Sequence, residues 1–322
     1  MHTAVAARPL TNHRYAIGLA TAADDADLRR LLRDTPMPGP IQISLEREPN
    51  FFAAARQKGG RHYTACVRDR QTGVLAAMGS RSVHELFVNG QPQRVGYLSQ
   101  LRIAPEHRHH TRQLLRLGFD LLRQTHAADE APFDITTIVA DNTVARRLLE
   151  AGLPGLPRYQ PVDRILTLLV PTSRIVGQAP RLPRVPVTAG GAPALQFAPI
   201  DMPVCGIWDQ RAFKQITVRG YSPWLRRCRW LLRLPPVGTV LPVAYWSPSV
   251  LADDDLDAAL AAARAQGCRW RAFGLSARHP LVEGVCRRYR PRVYASVLYV
   301  VHEPGATVGL DGRIAQVEVA LL

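Results

Sequence analysis

The sequence predicts an α/β fold of the α+β type, with a mixed and mostly antiparallel sheet flanked by helices in each of two domains. Short apolar stretches with the period of strands alternate with longer stretches that have the period of amphipathic helices. The order strand, helix, strand, helix, strand occurs twice, in residues 94–170 and 240–301. A stretch rich in proline, glycine and small residues separates the two runs.

A chain of 322 residues is longer than one hydrophobic core comfortably organises, so two domains are expected. We place the N-terminal domain at residues 1–172, a Pro/Gly-rich linker at 173–193 and a C-terminal domain at 194–322. No run of about 18 apolar residues predicts a transmembrane helix, and the first residues do not have the pattern of a secretory signal. The five cysteines include no C-x-x-C pair, which fits free thiols in a reducing cytoplasm.

Local signals predict the first elements. Residues 15–20 form a strand, and a helix follows Thr21, with aspartates in its first turn and arginines later, as the helix dipole favours. A loop at 36–40 and a short helix at 48–60 come next.

Three consecutive strands follow. Residues 62–68 and 73–88 form the first two, and Asn89-Gly90 predicts a tight hairpin into the third, since both central positions of a type I′ turn favour positive φ. Four apolar residues of the third strand share one face at a period of two: Val95, Tyr97, Leu101 and Ile103. Pro105 ends this strand, because proline has no N–H for the ladder.

A basic turn then leads into a helix that reaches about His126. The turn contains Arg108, His109, His110, Thr111 and Arg112. The first N–H groups of a helix have no partner within it, and the dipole favours negative charge there. A strand, a basic turn and a helix N-terminus together predict an anion site.

The remaining elements complete the two runs. The N-terminal domain continues with a strand at 133–140, a helix at 143–152, a proline-punctuated loop at 153–162 and a strand at 164–170. The C-terminal domain repeats the order with strands at 240–247, 268–278 and 292–301 and helices at 253–267 and 279–289.

The third strand and the basic turn resemble motif A of the GNAT (GCN5-related) N-acetyltransferases. Ile103, Pro105 and Arg108 match the family pattern, whereas two of its glycine positions fall on Thr111 and Gln113. Residues 141–159 resemble motif B, in which the following positions match: Asn142, Ala145, Leu148 and Glu150. The tyrosine of motif B falls on Leu149. The resemblance covers about residues 12–172, and the C-terminal domain looks like a degenerate copy whose aspartates at 253–255 would repel phosphate.

This resemblance implies an acyl-CoA-dependent N-acyltransferase, in the first place an N-acetyltransferase, in which an amine attacks the thioester directly. The co-substrate would be acetyl-CoA or another acyl-CoA, without a metal. Implied CoA-binding residues are Leu101, Ile103, Arg108, His109, His110, Thr111, Arg112, Gln113, Asn142 and Ala145. By the same resemblance, the backbones of Leu101 and Ile103 would pair with the pantetheine amides.

The general base and general acid are the least defined part of this prediction. The candidates are Tyr159, Tyr97 and Glu85, and Tyr159 could replace the tyrosine that is missing at Leu149. Because the glycines and this tyrosine are absent, an alternative stays open: a non-catalytic GNAT-like module that binds an anionic ligand or an acidic partner.

A net charge of +15 would attract any polyanion, including CoA, an anionic lipid, or nucleic acid. No zinc-finger, helix-turn-helix or aromatic sheet motif supports nucleic acid. The expected partners are a small-molecule or peptide amine acceptor and, as an option, an acidic carrier protein. Residues 222–233 predict a helix with one arginine face and one apolar face. That helix could lie on anionic lipid, nucleic acid or an acidic carrier, but docking of the apolar face within the protein is favoured.

Overall fold

The computed structural model describes residues 13–53, 60–173, 188–189, 192–193, 195–200, 206–247, 260–261 and 263–320. Within these ranges the strands are β1 (Tyr15–Leu19), β2 (Ile41–Glu46), β3 (His62–Asp69), β4 (Leu75–Val88), β5 (Gln91–Ile103), β6 (Glu130–Val139), β7 (Arg158–Pro171), β8 (Thr188–Ala189), β9 (Ala192–Pro193), β10 (Leu195–Gln196), β11 (Gly206–Trp208), β12 (Gln215–Tyr221), β13 (Val243–Ser247), β14 (Trp270–Ser276), β15 (Arg292–His302) and β16 (Ile314–Ala315). The α-helices with described bounds are α1 (Asp25–Asp34), α2 (Thr111–Arg123), α3 (Thr143–Glu150), α4 (Pro223–Cys228) and α5 (Leu281–Tyr289), and 3-10 helices lie at Ala22–Asp24 and Pro105–His110.

The described residues fall into two compact units that alternate along the chain. Unit 1 draws on Met1–Ser82, Leu98–Ala128 and Gln210–Leu241, and unit 2 on Val83–Tyr97, Asp129–Asp209 and Pro242–Leu322. The division passes through β4 and β5, so each of these long strands contributes to both units. The consecutive domains at 1–172 and 194–322 stay a prediction.

Unit 1 contains the antiparallel strands β1, β3 and β4 and a separate antiparallel pair of β2 with β12. Helix α1 packs on one face of the three strands, where Leu28 and Leu31 meet Cys66 and Met78 in one apolar cluster. Thr21 and Asp24 form a capping box before α1, because the Asp24 carboxylate accepts a hydrogen bond from the Thr21 N–H at 2.8 Å. Helix α2 also contacts β1 and β3.

Unit 2 is a mixed sheet with the strand order β4-β5-β6-β15-β7-β14-β13-β11. The pairs β5–β6 and β13–β14 are parallel, while β6–β15, β15–β7, β7–β14 and β13–β11 are antiparallel. Two large apolar clusters lie on this sheet, one around Val95, Phe133 and Leu298, and the other around Trp246 and Phe273. This confirms the prediction of a mixed, mostly antiparallel sheet flanked by helices.

The two β-α-β-α-β runs exchange their last strands within unit 2. Strand β15, which ends the second run, lies between β6 and β7 of the first run. Strand β7, which ends the first run, lies between β15 and β14 of the second. The β6–β15 and β7–β14 ladders each contain seven residue pairs, so the exchange is symmetric in extent. Each run therefore completes its sheet with a strand from the other.

Several local predictions are confirmed. Asn89 and Gly90 have φ of 51° and 78°, as a type I′ hairpin requires. Strand β5 ends at Ile103, two residues before Pro105. The buried residues of α2 follow the predicted stripe: Leu114, Leu115, Leu121 and Leu122. Helix α2 ends at Arg123 and not near His126, and the preceding basic turn is a 3-10 helix.

Two predictions about strands need correction. Strand β7 begins at Arg158, so the proline-punctuated stretch is not a loop; Pro161 is tolerated because the β14 ladder begins only at Ile165 and the β15 ladder shifts register beside the proline. The period of two in β5 does not continue to Ile103. Gln100 adopts φ of 57°, which interrupts the alternation, and Leu101 is 39% exposed.

Other predictions fall partly or wholly outside the described residues. These are the helix at 48–60, most of the linker at 173–193, the turn before the second long helix and most of the helix at 253–267. In the part of the chain that the structure describes, none of the helices has the length and the apolar character needed to cross a membrane.

Candidate active site

In unit 1, the end of β5 and the 3-10 helix after it form the predicted anion-binding segment. Ala104 donates a hydrogen bond to the Ala76 carbonyl at 2.8 Å, which fixes the point where the chain leaves the sheet. Arg108, His109, Arg112 and Gln113 are exposed. No ion pair of Arg108 or Arg112 is found among the described residues, so both guanidinium groups are available to an anion.

Two histidines of this segment are held by the N-terminal strand. The Tyr15 hydroxyl lies 3.1 Å from His107 Nδ1, and Arg14 Nη1 lies 2.6 Å from His110 Nε2. Arg14 also pairs with Asp69 at 3.3 Å. Burial and the nearby charges of His109 and Arg14 lower the pKa of His110, so its ring favours the neutral form that accepts from Arg14. His110 is therefore a structural contact of the segment in this structure, and its role in CoA binding stays a prediction.

Arg102 was not among the predicted ligands, although it lies in the same segment. Its Nη1 donates to the Leu101 carbonyl at 2.8 Å, and its Nε–H has no hydrogen-bond acceptor among the described residues. Burial lowers the pKa of this guanidinium, because charge is less stable away from water. A half-buried arginine without a carboxylate partner would gain from an anionic ligand.

A chain of polar side chains crosses the face of unit 1 that also packs against α1. His62 Nδ1 lies 2.7 Å from Ser82 Oγ, and His62 Nε2 lies 3.2 Å from Thr64 Oγ1. Thr64 Oγ1 lies 2.8 Å from Ser80 Oγ, which lies 3.0 Å from the Gln100 amide. The sequence contains one signal for this chain of polar side chains. On the strand face that includes the apolar Cys66 and Met78, the neighbouring alternate residues of β3 before Cys66 and of β4 after Met78 are polar.

Gln100 links this chain to strand β5. Its amide satisfies both neighbours when the nitrogen donates to Ser80 Oγ and the oxygen accepts from Arg47 Nε at 3.0 Å. Arg47 is 7% exposed and Ser80 is 1% exposed, so water competes little for these hydrogen bonds. A left-handed conformation is costly for a non-glycine residue in a strand, and such conformations cluster at functional sites.

The carboxylates near this face are ion-paired. Burial alone would raise the pKa of Glu48, but hydrogen bonds from Arg33 and Arg29 outweigh burial and lower it. Glu46 accepts from Arg219 Nε at 2.8 Å. The lowered pKa makes Glu48 a weak base, and Glu46 is engaged by Arg219. The imidazole of His62 is a different kind of group, since imidazoles act as bases in many proteins.

In unit 2, the three predicted catalytic residues have different environments. Burial raises the pKa of Tyr97 to about 12, and its hydroxyl lies 2.7 Å from Thr137 Oγ1. Burial and the charge of Asp134 raise the pKa of Tyr159. Glu85 has half of its side chain exposed and pairs with Arg94 at 3.1 Å. Both tyrosines would therefore serve as proton donors more readily than as bases, and Glu85 lies in an exposed ion pair.

The motif-B helix α3 is capped as its sequence indicates. The Asn142 side chain accepts a hydrogen bond from the Ala145 N–H at 3.2 Å. Leu149, at the position of the family's tyrosine, is 6% exposed. A hydroxyl nevertheless reaches this helix from the exchanged strand β15, where Tyr299 donates to Glu150 and accepts from Arg146 Nε at 2.9 Å. Tyr299 also packs edge-on against Tyr159 at 5.8 Å between ring centroids.

Beyond its pairing with Tyr97 of β5, strand β6 continues as a partner of strand β15. The β5–β6 pairs in the described residues run from Arg94↔Glu130 to Tyr97↔Ile135, whereas β6 pairs with β15 as far as Val139.

The residues described contain no group of three or more His, Cys, Asp or Glu side chains placed to hold a metal ion.

No protein-family model matches the sequence, and a comparison with curated proteins gives no match. Solved structures do resemble the fold. N-myristoyltransferase from Saccharomyces cerevisiae with bound myristoyl-CoA aligns with a TM-score of 0.55 and 11% identity over 96% of this chain and 90% of that chain. The same enzyme with bound myristoyl-CoA and inhibitors gives a TM-score of 0.54 and 11% identity over 98% and 88%.

A GCN5-related N-acetyltransferase from Sphaerobacter thermophilus aligns with a TM-score of 0.45 and 14% identity over 93% of this chain and 99% of that chain. At these identities the comparison concerns the fold alone. The chain has a GNAT-like fold and is similar over nearly its whole length to N-myristoyltransferase.

Proposed function

We propose that this protein is an acyl-CoA-dependent N-acyltransferase that transfers an acyl group from CoA to a small-molecule or peptide amine. The observation that carries the proposal is the end of β5. A strained Gln100 is followed by a basic 3-10 helix whose Arg108 and Arg112 are exposed and have no ion pair in the described structure. The likeness to a solved enzyme with bound myristoyl-CoA supports a CoA thioester as the donor class.

In this proposal the donor binds unit 1 through charge and backbone. Arg108 and Arg112, with Arg102, would neutralise the pyrophosphate, because guanidinium groups bind phosphate through charge-assisted hydrogen bonds. The backbones of Leu101 and Ile103 would pair with the pantetheine arm. Roles for His109, Thr111, Gln113, Asn142 and Ala145 stay predictions from the family resemblance. Acetyl-CoA and longer acyl-CoA are both candidates for the donor.

The reaction would join the amine nitrogen to the thioester carbonyl carbon, after which the C–S bond breaks and the sulfur takes a proton. An ordinary alkyl amine has a pKa near about 10, so a base must remove a proton from it. We assign that role to His62, because its ring belongs to the hydrogen-bonded chain that leads from Ser82 through Thr64 and Ser80 to Gln100. Tyr159 and Tyr97 stay predictions for the proton donor to sulfur.

The donor site is tested by thermal unfolding with CoA, acetyl-CoA and a long-chain acyl-CoA. Ligand at about 100 times its dissociation constant stabilises the native state by about 2.7 kcal/mol. The double substitution Arg108→Glu/Arg112→Glu should abolish this stabilisation. Arg116→Glu is the matched control, since Arg116 is an exposed arginine one turn further along α2 and should leave it intact. If CoA stabilises the native chain, the Arg108→Glu/Arg112→Glu variant and the Arg116→Glu control equally, the proposed donor site is refuted.

Catalysis is tested by the release of CoA thiol from acyl-CoA in the presence of an amine panel. His62→Gln should lower kcat by about 10²–10⁴-fold and flatten the rise of rate with pH, while the stabilisation by CoA stays unchanged. An unaltered pH profile in His62→Gln would remove this residue from the mechanism.

A non-catalytic module remains the second candidate. Thr111 and Gln113 replace glycines, and Arg14 engages His110, so the segment differs from a loop that binds phosphate on its backbone alone. Stabilisation by CoA without thiol release for any amine would favour this candidate. A cytoplasmic location and binding of an acidic carrier protein stay predictions.

A further inference from the structure

A loop that follows β12 carries an unusual share of the exposed apolar surface. We call residues 222–240, which include α4, the α4 loop. Of the twelve large hydrophobic side chains that are exposed in the described structure, six lie in this loop: Trp224 (59%), Trp230 (79%), Leu231 (66%), Leu232 (47%), Val237 (54%) and Val240 (39%). The predicted burial of the apolar face is therefore wrong at Trp224, Leu231 and Leu232, whereas Leu225 is 7% exposed and Cys228 is half-buried. Clustered exposed apolar groups of this kind indicate an interaction surface.

The same loop is strongly basic. It contains Arg226, Arg227, Arg229 and Arg233, and the sequence has no Asp or Glu between Asp209 and Asp253. None of these four arginines forms an ion pair within the described residues, in contrast to Arg29 and Arg33 of α1, which share Glu48. Within the part of the chain that the structure describes, the charge of the loop is therefore not paired and is available to a negatively charged surface.

The shape of the loop is fixed without its exposed side chains. At its start, Ser222 N–H donates to the Pro40 carbonyl at 2.8 Å. The Tyr221 hydroxyl donates to the Pro235 carbonyl at 2.6 Å, and Gly238 N–H donates to the Val218 carbonyl at 2.7 Å. Since these contacts and the buried Leu225 hold the loop, the exposed tryptophans and leucines are not needed to fold it.

We infer that the α4 loop docks unit 1 onto an anionic lipid surface. Tryptophan is favoured at the boundary between headgroups and acyl chains, leucine is favoured just below it, and arginine pairs with anionic headgroups. Nucleic acid would use the arginines and could stack on the tryptophans, but it offers no environment for Leu231, Leu232 and Val237. The combination of aliphatic, aromatic and unpaired basic side chains on one short loop fits a bilayer interface.

The test is co-sedimentation of the full chain with vesicles of phosphatidylcholine alone and with about one third phosphatidylglycerol. We expect binding to the anionic vesicles only, weakening as salt is raised from about 0.05 to about 0.5 M. Tryptophan fluorescence should shift to shorter wavelength on binding. Trp230→Ser/Leu231→Ser should lower the partition coefficient at least about tenfold. Changing Arg226, Arg227 or Arg229 singly to glutamine should lower the partition coefficient about fivefold.

Matched controls separate the loop from general basicity and apolarity. Arg116→Gln/Arg147→Gln/Arg164→Gln removes three other exposed arginines, and Val293→Ser/Tyr294→Ser removes two other exposed apolar side chains. Both controls should retain at least half of the binding. Failure of the native chain to bind anionic vesicles would overturn the inference. Equal loss in the loop variants and the controls, or loop-dependent binding of an oligonucleotide without vesicle binding, would overturn it as well.

Discussion

The two compact units are stabilised in different ways. In unit 1, carboxylates around α1 and β2 pair with arginines, as Arg68 does with Asp24 at 2.6 Å and Asp27 at 2.7 Å. In unit 2 the described residues form two large apolar clusters, and the ion pairs range from the exposed pair of Arg94 with Glu85 to that of Arg278 with the buried carboxylate of Asp163. The polar chain from His62 to Gln100 and the basic 3-10 helix belong to unit 1. Under the proposed function, unit 1 therefore supplies the donor-binding segment and the proposed base His62.

The largest expected effect comes from the apolar core of unit 2. Phe273 is fully buried and lies edge-on to Trp246, with 5.5 Å between ring centroids. Phe273→Ala should lower the free energy of unfolding by about 3–5 kcal/mol, because it leaves a cavity in a close-packed core. Urea unfolding measures this change, with Val293→Ala, at a 46% exposed position, as a control expected to change stability by less than about 0.5 kcal/mol. Similar effects of the two substitutions would contradict the structural role assigned to this cluster.

A smaller effect is expected at the strained position of β5 in unit 1. At Gln100, where φ is 57°, glycine should be more stable than alanine by about 1–2 kcal/mol. Both substitutions remove the amide, so their difference reports the backbone conformation alone. At the neighbouring Ser99, which lacks a positive φ, alanine should be more stable than glycine by about 0.5–1 kcal/mol. If alanine is favoured at both positions, Gln100 is not strained in solution.

The smallest expected effect is a pH dependence that belongs to unit 1. The folded pKa of Glu48 is lowered, so the folded state binds fewer protons than the unfolded state in the pH range between the two pKa values. The stabilisation is fully present above the unfolded pKa, about 4.5, and is lost as pH falls through the folded pKa. Glu48→Gln should be less stable than the native chain at neutral pH, and this difference should shrink at low pH. Val293→Ala is the control, because its difference in free energy of unfolding from the native chain should not vary with pH. If the difference for Glu48→Gln does not vary with pH either, the ion pairs of Glu48 with Arg29 and Arg33 are weak.

Local features of the fold were predictable because a few adjacent residues determine them. Asn89-Gly90 specifies its own turn, and Thr21 with Asp24 specifies its own capping box. The strand content of β7 was underestimated, because Pro161 is normally a loop signal and its tolerance depends on which neighbouring strands reach it. The placement of β15 between β6 and β7 depends on pairings more than a hundred residues apart in sequence, which no local pattern encodes.

The position of the candidate site was predictable from the sequence, but only some of its residues were. The motif-A segment pointed to Arg108 and Arg112, which are exposed as an anion site requires. His62 and Ser82 were missed because they come from different strands and meet only through the β3–β4 register. Burial of the apolar face around α4 was the preferred prediction, and it failed at most positions. The spacing of apolar residues shows that a helix is amphipathic, but it does not show whether the protein itself covers the apolar face.

The strand exchange has a consequence for how the chain can be divided. A fragment that stops at residue 172 would retain β6 and β7 but lack the strand that lies between them. A fragment that starts at residue 195 would lack β7, so β14 and β15 would have no strand to join them. Neither fragment contains a complete sheet, and each exposes strand edges that favour aggregation. The chain resembles a domain-swapped dimer made into one polypeptide, and its two pieces should become folded and soluble only when they are produced together.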